Sequence, residues 1–409
     1  MMSIDAAVID YSAALLLRYF RGGALVEAVV PRLDQRRDVE ILKGHWSLSA
    51  PVRDLVRRAL ANPHEAQALL AYRQRIDDAV ARGRIDARRT IIYRQQTGLP
   101  SALVTYEPVR SFNTGPNLLL AWVLREAASY TARLLSWQGG SSPYLPVIET
   151  AQREIRAVQR IEALREPLRA LSLGKRPDAG AVVAAARSRL ALYRLAADSY
   201  RLLQGLERGE TKAMERVARS ALLAPLEDWR RFELAVGLSL GEALARTSGG
   251  ALQLHLLGGD SSAPIATAGR FAVYWQQQTP YYQAPPLEPS EIAARNVLKA
   301  YGINSGGDRP DLIVVDRGKD AVVAVVEVKY VTGGTPHDRF REAVDQVVRY
   351  VRGYAPANAT GPLLARSMVV LSRDAPKRLE TQEPAPFAVD FDDLKQPHGL
   401  DAWAAALMA

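Results

Sequence analysis

The sequence predicts a multidomain α+β protein with a mixed N-terminal region, a central helical region and a compact C-terminal α/β domain. Three observations carry this. The 409 residues suffice for two or three domains, each with a core of its own. Apolar residues recur with a period near 3.6 from Pro116 to about Ala245, and beyond that give way to short apolar runs separated by turns. A loop rich in Gly, Ser and Ala, GGDSSAPIATAG (258–269), stands between the two patterns. The expected ranges are 1–115, 116–257 and 270–409.

In the first range, PVRDLVRRALANPHEAQALLAYRQRIDDAV (51–80) has apolar residues at helical spacing and is expected to end near Gly83. RTIIYRQ (89–95) and SALVTYEPV (101–109) read as strands on either side of the turn Thr97-Gly98-Leu99-Pro100. The central range reads as long amphipathic helices, broken at WQGGSSPYLP (137–146), GKRPDAG (174–180) and ERGE (207–210). RSFNTGPN (110–117) is expected to cap the first of them, with Pro116 in its first turn. No segment repeats at a fixed period. In the third range FAVYWQQ reads as a strand and EPSEIAARNVLKAYG (288–302) as a helix with Ser290 as N-cap. Two strands follow, then the helix REAVDQVVRYVRGY (341–354) and the buried strand LARSMVVLSR (364–373).

A composition of 48% hydrophobic and 24% charged residues is that of a globular chain. Cysteine is absent, which excludes disulfides and thiolate metal sites and suits a reducing compartment. No run of 18 apolar residues occurs, so the expectation is a cytoplasmic protein without a membrane partner. The net charge of +9 points to a polyanionic partner, either nucleic acid or an acidic protein. The five histidines, at 45, 64, 255, 337 and 398, show no metal-ligand spacing, and no phosphate-binding loop is present.

DRPDLIVVDRGKDAVVAVVEVKY (308–330) holds the chemistry. RGKD (317–320) has the residues of a hairpin turn, and a turn centred between Gly318 and Lys319 sets Asp311 across from Val326, next to Glu327. Period-two alternation puts Glu327 and Lys329 on one face. Two close carboxylates repel unless a cation lies between them, and hard oxygen ligands favour Mg²⁺, with Mn²⁺ able to substitute. An amine beside such a pair suits phosphodiester hydrolysis, where it orients water or neutralises developing charge.

Pro310-Asp311, followed after fifteen residues by Glu327-Val328-Lys329, resembles the signature of the PD-(D/E)xK nuclease superfamily. The resemblance implies a restriction-endonuclease-like C-terminal domain, with Asp311, Glu327 and the Val328 backbone carbonyl as metal ligands and Lys329 as catalytic lysine. It further implies an acidic residue on the preceding helix, which Glu291 matches, and a polar one on the following helix, which Gln346 matches. Residues 83–124, VYWQQQTPYY (273–282), RPDLIVV and EVKY are together similar to landmarks of McrC-like restriction nucleases. That similarity implies an N-terminal adaptor, DNA as substrate, a role in restriction or anti-phage defence, a AAA+ GTPase or ATPase partner and compatibility with a homo-oligomer. Two departures stand out: the group's Thr-Pro-Glu-Asn is Thr114-Gly115-Pro116-Asn117 here, and its Asp-Ala-Lys is Glu327-Val328-Lys329.

Plainer readings compete with each of these. Asp311, Glu327 and Lys329 would form a simple cross-strand salt bridge if the sheet face were exposed, but valines on both faces of the strand argue for cover on both. Glu291 also suits a helix N-terminus, and Gln346 an ordinary polar helix position. The histidines read as structural or solvent-facing, with His337, in the loop GGTPHDR, as the one candidate for substrate contact. Asp308 and Asp316 read as turn or strand-end residues, and the aromatics Trp137, Tyr144, Tyr274, Trp275, Tyr281 and Tyr282 as core more than base-stacking groups. The functional alternatives are a non-catalytic nucleic-acid-binding or scaffolding subunit, and a nuclease acting on RNA or branched DNA.

Overall fold

The computed structural model describes residues 4–26, 35–137, 144–171, 176–255, 264–277, 279–283, 288–301, 309–355, 359–378 and 383–409. The chain opens with helices α1 (Ile4–Val26), α2 (Gln35–Trp46) and α3 (Ala50–Ala61). A small sheet module follows: β1 (Leu69–Asp78), β2 (Arg84–Ile85), α4 (Ala87–Thr97) and β3 (Ala102–Ser111). Next come α5 (Gly115–Trp137), α6 (Leu145–Gln159), α7 (Glu162–Ala170), α8 (Ala179–Ala186), α9 (Ala191–Glu207) and α10 (Thr211–Val217). A π-helical turn (Ala218–Leu223) leads to α11 (Asp228–Ser248). Strands β4 (Leu252–Leu254), β5 (Ala266–Ala268) and β6 (Phe271–Trp275) precede α12 (Pro289–Ala300), and β7 (Leu312–Asp316) and β8 (Ala321–Lys329) follow it. The chain then forms α13 (Pro336–Tyr354), α14 (Thr360–Arg366), β9 (Met368–Leu371), β10 (Phe387–Asp390), α15 (Phe391–Lys395) and α16 (Asp401–Met408). The protein is thus α+β and multidomain.

Two compact units emerge, one of residues 1–42, 136–146 and 214–409, the other of 43–135 and 147–213. Their boundaries cut across the three expected ranges. The reason lies in α11, the last helix of the central region, which packs on β5 and β6 and so joins the C-terminal sheet.

In the smaller unit, α3 and α8 pack on α9, and the buried Trp46 indole donates to the Ser199 carbonyl at 2.8 Å. β1 pairs antiparallel with β3 along its whole length and forms a sheet edge, with Leu69, Leu70, Tyr72 and Ile76 exposed. Two local expectations change here. The helix expected over 51–80 stops at Ala61, because Pro63 disfavours helical backbone at Asn62, and the residues beyond are claimed by pairing with β3. RTIIYRQ lies in α4 and is not a strand: Asp86 caps the N-terminus by accepting the Arg89 amide at 2.9 Å, and Gly98 closes the C-terminus at φ +70°. Those caps outweigh the β-propensity of Thr90-Ile91-Ile92.

Asn117 explains the RSFNTGPN tract. Thr114 accepts the Asn117 amide at 3.3 Å, and the fully buried Asn117 side chain donates to the carbonyls of Gln67 (2.9 Å) and Phe112 (2.8 Å). Its carbonyl accepts the Tyr193 hydroxyl at 2.7 Å. One amide therefore ties the start of α5 to α9 and to the segment before β1.

The larger unit is built on a seven-stranded sheet of order β10-β9-β8-β7-β6-β5-β4. Its β8–β9 and β9–β10 pairs are parallel and the others antiparallel. Both faces are covered. α11 lies on one, so close that a Cβ at Gly237 would come within 2.4 Å of Ile265 and 3.2 Å of Leu312. α13 lies on the other, where Val347, Tyr350 and Val351 join Ile313, Val325, Val369 and Leu371 in the core. Burial on two sides is why β8 is almost wholly apolar. Among the described residues no helix is long and apolar enough to cross a membrane.

Asn117→Ala leaves two carbonyls and a hydroxyl without their buried partner, and is expected to lower stability by about 2–3 kcal/mol in denaturant unfolding. A change below about 0.5 kcal/mol would mean that the network is not structural in the way described.

Candidate active site

The hairpin of β7 and β8 turns where Asp316 places it. That buried carboxylate accepts the amides of Gly318 (2.9 Å) and Lys319 (3.3 Å) and pairs with Arg270 at 3.1 Å. Near the turn the register is the expected one, with Val315 facing Val322, but a bulge then shifts it so that Leu312 faces Val326. Carried one residue on, the shifted register sets Asp311 beside Glu327 and not beside Val326. The bulge therefore brings the two acids closer than a regular hairpin would.

Pairing with β7 ends at Val326, while β8 continues to Lys329 on β9. The strands part there, and the Val328 amide on the freed edge is taken by Asp311 Oδ2 at 2.8 Å. Because N–H and C=O of one strand residue point to the same side, the Val328 carbonyl faces that edge as well. Glu327 is 2% exposed, and its Oε1 accepts Lys329 Nζ at 2.8 Å. Its Oε2 is buried and receives no N–H or O–H donor, while the carboxyl as a whole lies in hydrogen-bond contact with that of Asp311. Glu342 on α13 comes within 3.8 Å of Lys329 Nζ.

A third carboxylate completes the cluster. Glu233 on α11 is 3% exposed, and its Oε2 accepts the Trp275 indole and the Gln276 side-chain amide, each at 2.7 Å. Burial, and next the Asp311 charge, push Glu233 from 4.5 up to about 8. Burial and the Asp311 charge likewise push Glu327 up to about 8, against the pull of Lys329. Asp311 is raised by burial, despite the Val328 amide. Burial opposes the Lys329 charge, yet the neighbouring carboxylates raise its value overall. Asp311 and Glu327 thus share the Lys329 ammonium in a desolvated pocket, and Glu233 lies near enough to feel the charge of both acids.

The structure ties Glu291 elsewhere. Its carboxylate accepts the Glu288 amide at 2.8 Å and approaches Arg352 at 3.8 Å, half of a capping box at the start of α12. The helix begins at Pro289, so Ser290 falls inside it and not at its cap. Glu233, which the sequence reading did not single out, is the acid that interacts with Asp311 and Glu327. Its signal in the sequence was a lone acid within FELAVGLSLG (232–241), on a helix otherwise free of charge there. Gln346 sits on α13 with its Oε1 buried and without a partner. Tyr350, one turn further, is pushed up to about 12 by burial and then by Glu327. His337 is exposed in the first turn of α13. Asp308 lies outside the described residues. Trp275 serves Glu233 through its indole, while Tyr144 is buried with its hydroxyl on the Leu222 carbonyl.

Among the described residues no group of three or more His, Cys, Asp and Glu side chains is arranged to hold a metal ion. Mg²⁺ does not require one, since it keeps most of its waters and binds through one or two carboxylates. Asp311 and Glu327, whose carboxyl groups lie against each other, have the donor set to supply two.

No family model and no curated protein matches the sequence. Among solved structures, a refined half-complex from the tetradecameric assembly of Thermococcus gammatolerans McrB AAA+ hexamers with bound McrC aligns with 100% of this chain and 77% of its own, at 13% identity and a TM-score of 0.27.

Groups raised from 4.5 to about 8 hold their protons more tightly in the folded state, so their stabilisation is complete below about pH 4.5 and is lost as pH climbs to about 8. Glu327→Gln mimics the protonated form. In metal-free buffer its melting temperature should match the wild type near pH 5 and exceed it near pH 9, and a gap independent of pH would refute the raised value.

Proposed function

We propose that the larger unit is a Mg²⁺-dependent endonuclease of the PD-(D/E)xK type acting on DNA. The observation that carries this reading is the meeting of Asp311, Glu327 and Lys329 where β7 and β8 part, with one Glu327 oxygen buried and receiving no N–H or O–H donor.

Asp311, Glu327 and the Val328 carbonyl would hold the ion, and Glu233 would bound the site on the α11 side. When bound, the ion supplies Lewis-acid activation of a phosphoryl oxygen and a water of lowered pKa. Lys329 stays protonated because its carboxylate neighbours favour the ammonium. It would act there as a donor that orients water or steadies a non-bridging phosphate oxygen. Gln346 and Tyr350 line the α13 side, where their polar atoms orient carboxylate or substrate. The apolar sheet and both covering helices exclude bulk water, which strengthens each of these interactions.

The McrC-like landmarks of the sequence extend the reading to restriction or anti-phage defence, with a AAA+ GTPase or ATPase partner supplying any nucleotide hydrolysis. Nothing in the chain resembles a nucleotide-binding loop of its own.

Supercoiled plasmid should be cut in Mg²⁺ or Mn²⁺ and remain intact in EDTA. Lys329→Ala, verified as folded, should lose about a hundredfold or more in rate, and Asp311→Asn at least as much. Cutting by folded Lys329→Ala at the wild-type rate would refute the assignment. Parallel assays on RNA and branched DNA, with and without a AAA+ partner, identify the substrate; metal-independent binding without cleavage of any of them would make the unit a nucleic-acid-binding module.

A further inference from the structure

Gln276, just past the end of β6, has a backbone φ of +49°, in the left-handed region that residues other than glycine seldom occupy. Among the described residues three further non-glycine positions have a positive φ: Ala79 beyond β1, Asp320 in the β7–β8 turn and Asp374 after β9. Gln276 directs its backbone amide and its side-chain Nε2 at residues of the candidate site. Its amide donates to the Asp311 carbonyl at 2.7 Å, and its side-chain Nε2 donates to Glu233 Oε2 at 2.7 Å. Its Oε1 accepts an Arg309 guanidinium N–H at 3.3 Å, so both ends of the side-chain amide are oriented. One residue thereby connects α11 to the segment that presents Asp311.

Strained backbone persists where the surroundings over-determine it, and such positions cluster at functional sites. Glycine would occupy this conformation without strain, but it would carry no amide to reach Glu233. We propose that Gln276 is a positioning residue whose left-handed backbone aims its side-chain amide at Glu233, holding that carboxylate in a fixed orientation beside Asp311 and Glu327. Trp275, donating to the same oxygen, is the second half of the clamp. The functional part of this inference rests on the proposed metal site.

The test uses the full chain and three variants. Gln276→Gly relaxes the backbone and removes the amide; Gln276→Asn tolerates the left-handed conformation but is too short; Gln276→Glu keeps the length and sets a carboxylate against a carboxylate. The first readout is the Trp275 indole N–H resonance in metal-free buffer, assigned among the six tryptophans with Trp275→Phe. The others are Mg²⁺ affinity by calorimetry and the melting temperature. Positioning predicts a displaced Trp275 resonance in all three variants and Mg²⁺ binding weaker by about tenfold or more. In Gln276→Gly these changes should come with a melting temperature equal to or above the wild type. A Trp275 resonance and Mg²⁺ affinity unchanged in Gln276→Gly and Gln276→Asn would overturn the proposal, as would losses that only track unfolding. If the wild type neither binds Mg²⁺ nor cuts nucleic acid, the nuclease reading fails, and the metal-free resonance still decides whether Gln276 holds Glu233.

Discussion

The hydrogen bond from the Val328 amide to Asp311 is the constraint on which the site depends. β8 must outrun β7 to pair with β9, and each backbone amide left on its freed edge needs an acceptor once both faces of the sheet are covered. A carboxylate meets that need and in doing so is held beside Glu327. The bulge between Val314 and Val315 sets the register that makes this possible, and the Asp316 turn sets where the hairpin begins. Strand pairing, turn and acid placement are one construction.

Charge balance follows from that construction. Cover by α11 and α13 removes water from Glu233, Asp311, Glu327 and Lys329 together, and that burial raises all three carboxyls. Such a cluster can hold protons or bind a cation, and both remedies act on the same atoms. Its burial distinguishes it from the exposed ion pairs elsewhere on the chain, such as Arg208 with Glu210. The close approach of α11, which Gly237 permits, is what makes Glu233 a member of the cluster.

Some parts of this were legible from residues alone. The valines of β8 on both faces foretold a strand covered twice, and period-two alternation foretold that Glu327 and Lys329 within it would meet. The central helices were legible from their period, and Asp316 from its place before a turn. Other parts were not. Local pattern favoured a helix through 69–78 and a strand at 89–95, and β3 pairing and the Asp86 and Gly98 caps reversed both. Glu291 was nearer in sequence to Asp311 than Glu233 is, yet the inserted α12 carries it to Glu288 and Arg352.

The sequence by itself determined the identity and spacing of the hairpin acids and lysine, because turn chemistry and period-two alternation act over a few neighbouring residues. Only the tertiary structure decided the third carboxylate, the one-residue register shift and the left-handed Gln276. Each of these depends on where α11, β6 and β9 meet the end of the hairpin, and contacts between segments up to 94 residues apart in the chain, as for Glu233 and Glu327, leave no periodic trace in the sequence.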